Sequence, residues 1–181
     1  MMGEAASGTL STRAPLAAQR NEVTRADEIL VALLNEYETR IYSFVFMKLR
    51  DRDGASDVTQ DTFVRAYEHL RRGREVTAGW LYTVARNRTM DGFRHSSRIC
   101  CSGEQIAQQF AAEAPVDLCM SVRAAFEQVE PGDREVLYLF AVAGFRTDEI
   151  GAMLGIRGSA VRQCLSRARQ RFRCIYEGKN L

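Results

Sequence analysis

The sequence predicts an all-α protein, built as two small helical bundles joined by a flexible linker. Three observations predict it. Apolar residues recur at helical spacing in two long stretches. No stretch alternates apolar and polar residues at the period of a strand. Between the two lies His95 to Asp117, rich in Ser, Gly, Gln, Ala and Pro and without a sustained amphipathic pattern. The boundaries expected on this basis are a disordered leader at 1–23, a first bundle at 24–97, a linker at 98–117 and a second bundle at 118–178.

The first helix is expected to start at Thr24, a residue able to cap it, with Asp27 favoured in its first turn by the helix dipole. Leu30, Leu33, Leu34, Tyr37, Ile41, Phe44, Val45 and Leu49 mark its one buried face. Asp51-Arg52-Asp53-Gly54 reads as a turn. Ser56 is the expected cap of a second helix, with Val58, Phe63, Val64, Tyr67 and Leu70 as its apolar surface and Asp57, Gln60, Asp61, Arg65 and Glu68 opposite. A basic loop, Arg71-Arg72-Gly73-Arg74, leads to a third helix from about Thr77 through Trp80, Leu81, Val84, Ala85 and Phe93.

In the second stretch Val122, Ala125, Phe126 and Val129 form one helix. Pro131-Gly132-Asp133 breaks it and opens the next, which carries Val136, Leu137, Leu139 and Phe140 and ends at Gly144. Thr147 to Leu154 then reads as a short helix, Gly155 as a turn, and the run to Arg173 as a longer basic helix. This is the pattern of a helix-turn-helix whose second helix enters a DNA major groove. Val161, Leu165, Ala168, Phe172 and Ile175 supply a packing stripe. Arg162, Ser166, Arg169 and Arg173 form a second stripe, with Gln163 and Arg167 beside it, and no acid lies between Arg157 and Arg173. Arg and Gln early in such a helix suit base edges, and later arginines suit phosphates. A solvated cationic face on an ordinary bundle helix is the competing structural account.

Net charge is only +2 over 181 residues, so the chain is no uniformly basic coat for nucleic acid. Six of its acids, Glu127, Glu130, Asp133, Glu135, Asp148 and Glu149, lie just before the arginine helix, which suggests one DNA face and at least one protein face. No apolar run is long enough to span a membrane, and the first 21 residues lack the apolar core of a signal peptide. The five cysteines, Cys100, Cys101, Cys119, Cys164 and Cys174, include no CxxC pair, and the two histidines, His69 and His95, sit in no ligand or triad pattern. A cytoplasmic protein with reduced thiols, no metal, no cofactor and no catalytic centre is expected.

Two segments carry a family resemblance. Asp57-Val58-Thr59-Gln60-Asp61-Thr62-Phe63-Val64-Arg65-Ala66-Tyr67, followed by Trp80-Leu81-Tyr82-Thr83-Val84-Ala85-Arg86-Asn87 with Asp91 and Arg94, resembles the second conserved region of bacterial sigma factors of the extracytoplasmic-function (ECF) type, within the sigma-70 family. Pro131-Gly132-Asp133-Arg134-Glu135-Val136, with Glu149-Ile150 through Leu165-Ser166-Arg167-Ala168-Arg169, resembles their fourth region. The resemblance covers about Ile29 to Tyr176.

The resemblance implies a transcription initiation factor that binds core RNA polymerase and directs it to promoters, with no catalysis and no small-molecule substrate of its own. It implies that Asp57, Gln60, Asp61 and Arg65 dock on the largest polymerase subunit. It places the minus-ten strand on Arg72, Arg74, Tyr82, Arg86, Asn87, Arg88 and Arg94, with Tyr82 stacking on a base and Asn87 bonding a base edge. It places the minus-thirty-five element on Arg157, Ser159, Arg162, Gln163, Ser166, Arg167 and Arg169. Cys164 departs from the family pattern, where a basic residue is common, and Arg157-Gly158 replaces a Pro-containing turn. An anti-sigma partner is implied by the resemblance alone. A stand-alone helix-turn-helix regulator is the alternative, and it predicts tight duplex binding without polymerase.

Overall fold

The computed structural model describes residues 16–95 and 116–178, with side chains at 24–90 and 121–178. The first 15 residues of the expected leader, most of the expected linker, and the side chains of Asp91, Arg94, His95, Cys100, Cys101 and Cys119 lie outside the described residues. Every regular element among the described residues is helical: α1 (Leu16–Leu49), α2 (Arg52–Arg71), α3 (Ala78–His95), α4 (Val116–Gln128), α5 (Pro131–Leu137) continuing as a π-helical turn (Tyr138–Val142), α6 (Thr147–Leu154) and α7 (Gly158–Tyr176).

Two expected boundaries move. Helix α1 starts at Leu16, so Thr24 lies inside it and is not its N-terminal cap, and part of the expected leader is helical. Leu16-Ala17-Ala18-Gln19-Arg20 is a run of strong helix formers that extends the helix upstream. Helix α2 starts at Arg52, not after Ser56. Asp51 is its cap, its carboxylate accepting from the Gly54 N–H at 2.9 Å, and Asp53 adds an acid in the first turn. The expected turn is therefore the first turn of a helix. The corner falls one residue earlier, at Arg50, which adopts the left-handed region at φ 56°.

Val64 and Val122, expected on buried faces, are 57% and 41% exposed. On α2 the inward positions go instead to Ala55, Thr59, Thr62, Phe63 and Ala66. The hydroxyls of Thr59 and Thr62 donate to backbone carbonyls one turn back, at 2.7 Å each, so their burial leaves no polar atom unpaired.

In the second bundle Pro131 sits in the first turn of α5, where its missing N–H costs nothing. The helix then widens: the Ala143 N–H reaches back five residues to the Tyr138 carbonyl at 3.0 Å. Gly144, at φ 79°, ends it. Gly155, at φ 70°, turns α6 into α7. Val161, Leu165 and Ala168 bury the expected stripe of α7, and Phe172 and Ile175 pack partly buried beside them.

The two bundles share one core. Ile41, Phe44 and Val45 are buried as expected, but so are Ser43, Phe46 and Met47, leaving five consecutive residues of α1 inside. A helix buried all round has neighbours on every side. Helices α2 and α3 cover one side, and the second bundle covers another. The Phe44 and Tyr138 rings lie 5.5 Å apart, and the Tyr138 hydroxyl donates to the Arg40 carbonyl at 3.0 Å.

Candidate nucleic-acid and polymerase interfaces

The helix-turn-helix is tightly built. The Arg146 N–H donates to the Glu149 carboxylate at 2.7 Å, fixing the start of α6. Ile150 is fully buried, and Gly151 allows the turn to press against α6: a Cβ there would stand 2.7 Å from the Ile156 carbonyl oxygen. Helix α7 leaves Arg157, Ser159, Arg162, Gln163, Ser166, Arg167, Arg169 and Arg173 exposed. The stripe suited to DNA is thus on the outer surface.

Not all of these side chains are unengaged. Asp133, on α5, is 3% exposed, and its carboxylate takes Arg167 at 2.8 Å and Arg171 at 2.8 Å. The Arg167 hydrogen bond, together with the charges of both guanidiniums, holds the Asp133 carboxyl below its ordinary range despite burial. The sequence placed Asp133 at a helix start and in an acid group ahead of the arginine helix; its job is to seat α7 on α5. Arg169 lies over the Phe140 ring, 4.7 Å from its centre. Arg162 and Asp148 stand 4.0 Å apart at the front of α7.

On α2 the expected docking face is exposed at Asp57, Gln60 and Arg65, and Asp61 is half-buried. Asp61 accepts from Arg65 at 2.9 Å and from Arg88 of α3 at 2.6 Å. The acid of the docking face and a cation of the minus-ten set are therefore one ion-pair cluster. A shallow polar cleft borders it, lined by Glu38, Thr39, Tyr42, Ser56, Thr59 and Gln60.

The minus-ten set divides. Arg72, Arg74 and Asn87 are exposed, Arg72 lying 3.7 Å from Glu68. Arg86 is half-buried and bonds Glu135 of α5 at 3.0 Å. Tyr82 corrects its assignment. It is 2% exposed, its ring held edge-on by Phe44 and by Phe145, each 5.2 Å away, so no face is open for a base. Burial pushes its hydroxyl up to about 12, and that oxygen has no hydrogen-bond partner. Trp80 packs partly buried against the core and on His69, with ring centres 4.8 Å apart.

Residues 33–99 match the family model for sigma-70 region 2, and residues 119–172 match that for sigma-70 region 4. The RNA polymerase sigma factor CarQ of Myxococcus xanthus is 30% identical over 156 residues, covering 82% of this chain and 89% of CarQ. The chain belongs to the ECF sigma factors of the sigma-70 family. The ECF sigma factor SigM of Bacillus subtilis is 28% identical over 157 residues, 83% of this chain and 94% of SigM. Among solved structures, the sigma factor RpoE of Bartonella quintana in complex with the anti-sigma factor NepR shares the fold, with a TM-score of 0.61, 20% identity, and coverage of 80% of this chain and 94% of that one. As a sigma factor, the chain binds core RNA polymerase and directs it to promoters. Carrying both regions, it does not fit the stand-alone regulator. Among the described residues no helix is long and apolar enough to cross a membrane.

Proposed function

We propose a division of labour between the two regions. Helix α7 reads the minus-thirty-five element: Arg157, Ser159, Arg162, Gln163 and Ser166 face base edges, and Arg167 and Arg169 meet phosphates. The α2 face of Asp57, Gln60, Asp61 and Arg65 docks on the largest polymerase subunit. Arg72, Arg74, Arg86, Asn87, Arg88 and Arg94 take the minus-ten strand as it opens. The observation that carries this reading is the acid-free, solvent-facing edge of α7 in the same chain as the exposed acid face of α2. The chain works by placement alone, without a catalytic centre or cofactor, and acts in the cytoplasm. The resemblance to a sigma factor solved with its inhibitor supports a protein anti-sigma partner here as well.

The test is binding to purified core RNA polymerase. The double reversal Asp57→Arg with Asp61→Arg is expected to weaken binding at least tenfold, since like charges now meet across the interface. Unchanged binding moves the docking face elsewhere, and no binding by folded wild-type protein overturns the reading.

A further inference from the structure

Glu135 of α5 lies against the first bundle with its side chain 11% exposed. One of its oxygens takes both Lys48 Nζ, at 2.8 Å, and Arg86 Nε, at 3.0 Å. Lys48 ends α1 and Arg86 is in the middle of α3, and their side chains are 12% and 24% exposed. Two cations of one region thus converge on a single anionic oxygen supplied by the other. Around that point the regions are held by the bond from Tyr138 to the Arg40 carbonyl, by Phe145 on Tyr82, and by an ion pair between Arg50 and Glu127 at 3.3 Å.

If the second region is displaced, the two cations lose their counterion while their backbones stay on neighbouring helices of the first region. Two nitrogens aimed at one oxygen suit a phosphate oxygen. We propose that Lys48 and Arg86 form a backbone-phosphate site for single-stranded DNA, and that Glu135 fills it in the free protein as an internal stand-in for the phosphate. The site deepens the minus-ten reading above and rests on it. It adds Lys48 to the DNA-contacting set and makes the second region a latch on the first. The same acid that closes the compact form must leave its two cations before they can hold the strand.

The test uses the full chain and a fluorescein-labelled, mixed-sequence single-stranded DNA of about 20 nucleotides, titrated at several salt concentrations. Glu135→Gln is expected to bind roughly tenfold tighter than wild type, with a log–log salt slope steeper by about 0.7, the increment for one phosphate. Glu28→Gln, an exposed acid on α1, makes the same change in net charge and is expected to give none of this gain. Adding Lys48→Gln or Arg86→Gln to Glu135→Gln is expected to abolish the gain. A Glu135→Gln variant that binds no better than Glu28→Gln overturns the latch. A gain that survives both cation removals overturns the site. If circular dichroism shows Glu135→Gln unfolded, Tyr138→Phe replaces it: it removes one bond between the regions and is expected to give a roughly threefold gain, again lost with Lys48→Gln, and no gain overturns the proposal. Core polymerase binding by the same preparations separates the readings. Wild type that fails to bind polymerase sinks the functional reading, whereas normal polymerase binding with no gain on DNA sinks the latch alone.

Discussion

Asp133 and Arg167 lie 2.8 Å apart, an almost fully buried carboxylate bonded to a guanidinium that itself stays about half exposed. Arg171 completes the cluster from the next turn of α7. An acid on α5 thus fixes the angle of the helix that faces DNA. Removing it by Asp133→Ala leaves two guanidiniums without their buried partner. The expected cost is about 2–3 kcal/mol, below the full range for a buried pair because the arginines keep access to water. Urea unfolding at neutral pH measures it.

The same carboxylate gives a pH signature. Its folded-state pKa lies below the ordinary 3.8, so it contributes stability above the unfolded-state value and loses that contribution as pH falls through the folded-state value. The stability gap between wild type and Asp133→Asn is therefore expected to be present at pH 7 and to shrink below about pH 4. A gap that holds constant down to pH 2.5 contradicts this.

Two buried tyrosines make opposite forecasts. The Tyr138 hydroxyl bonds the Arg40 carbonyl, so Tyr138→Phe is expected to cost about 1 kcal/mol. The Tyr82 hydroxyl is buried without a partner, so Tyr82→Phe is expected to be neutral or stabilising by up to about 1 kcal/mol. Tyr82 also penalises the folded state in alkali: with its pKa raised to about 12, stability falls as pH rises from the unfolded-state value of 10.0 towards it, and Tyr82→Phe removes that component. Melting temperatures of the two variants, at pH 7 and pH 10.5, check both.

Two glycines of the helix-turn-helix are expected to part company. In Gly151→Ala the new methyl meets backbone, the Ile156 carbonyl at 2.7 Å and the Gly158 nitrogen at 3.3 Å, which cannot give way cheaply. A cost of about 1–3 kcal/mol is expected. In Gly158→Ala the one close clash is with the carboxylate of Asp148, the exposed end of a side chain that can swing aside; the Asp148 Cα lies at an ordinary 3.7 Å. That variant is expected to lie within about 0.5 kcal/mol of wild type. Thermal melts of the two single variants decide it.

On promoter DNA, Arg162→Ala and Gln163→Ala are expected to cost about 1–3 kcal/mol each and to relax preference at one base pair. Arg169→Ala is expected to weaken all sequences alike and lower the salt slope by about 0.9. Holoenzyme binding to a panel of upstream elements separates the two patterns.

Much of this was legible in the residues. The stripe from Val161 to Ile175 packs where its spacing puts it, and Gly144 and Gly155 punctuate the chain as their freedom at positive φ predicts. The misses share a cause. Val64 was assigned by helical period and Tyr82 by family resemblance, and neither says what covers a side chain in this fold. Tyr82 is closed off by Phe145, 63 positions away in sequence, and Phe44 of α1 meets Tyr138 of the second region. Lys48, near the end of α1, carries no local signal; its partner Glu135 comes from the second region. Contacts between regions leave no local period to read.

The widened turn at Tyr138–Val142 has a consequence for how this protein tolerates change. One residue in an α-helix is worth about 100° of rotation, so a turn that takes up an extra residue resets the phase of everything after it. Residue count at this turn thus has to agree with the Asp133 cluster that seats α7 on α5. Deleting a single position there, even an exposed one such as Val142, would set α6 and α7 out of phase with Asp133 of α5 and so strain the second region from within.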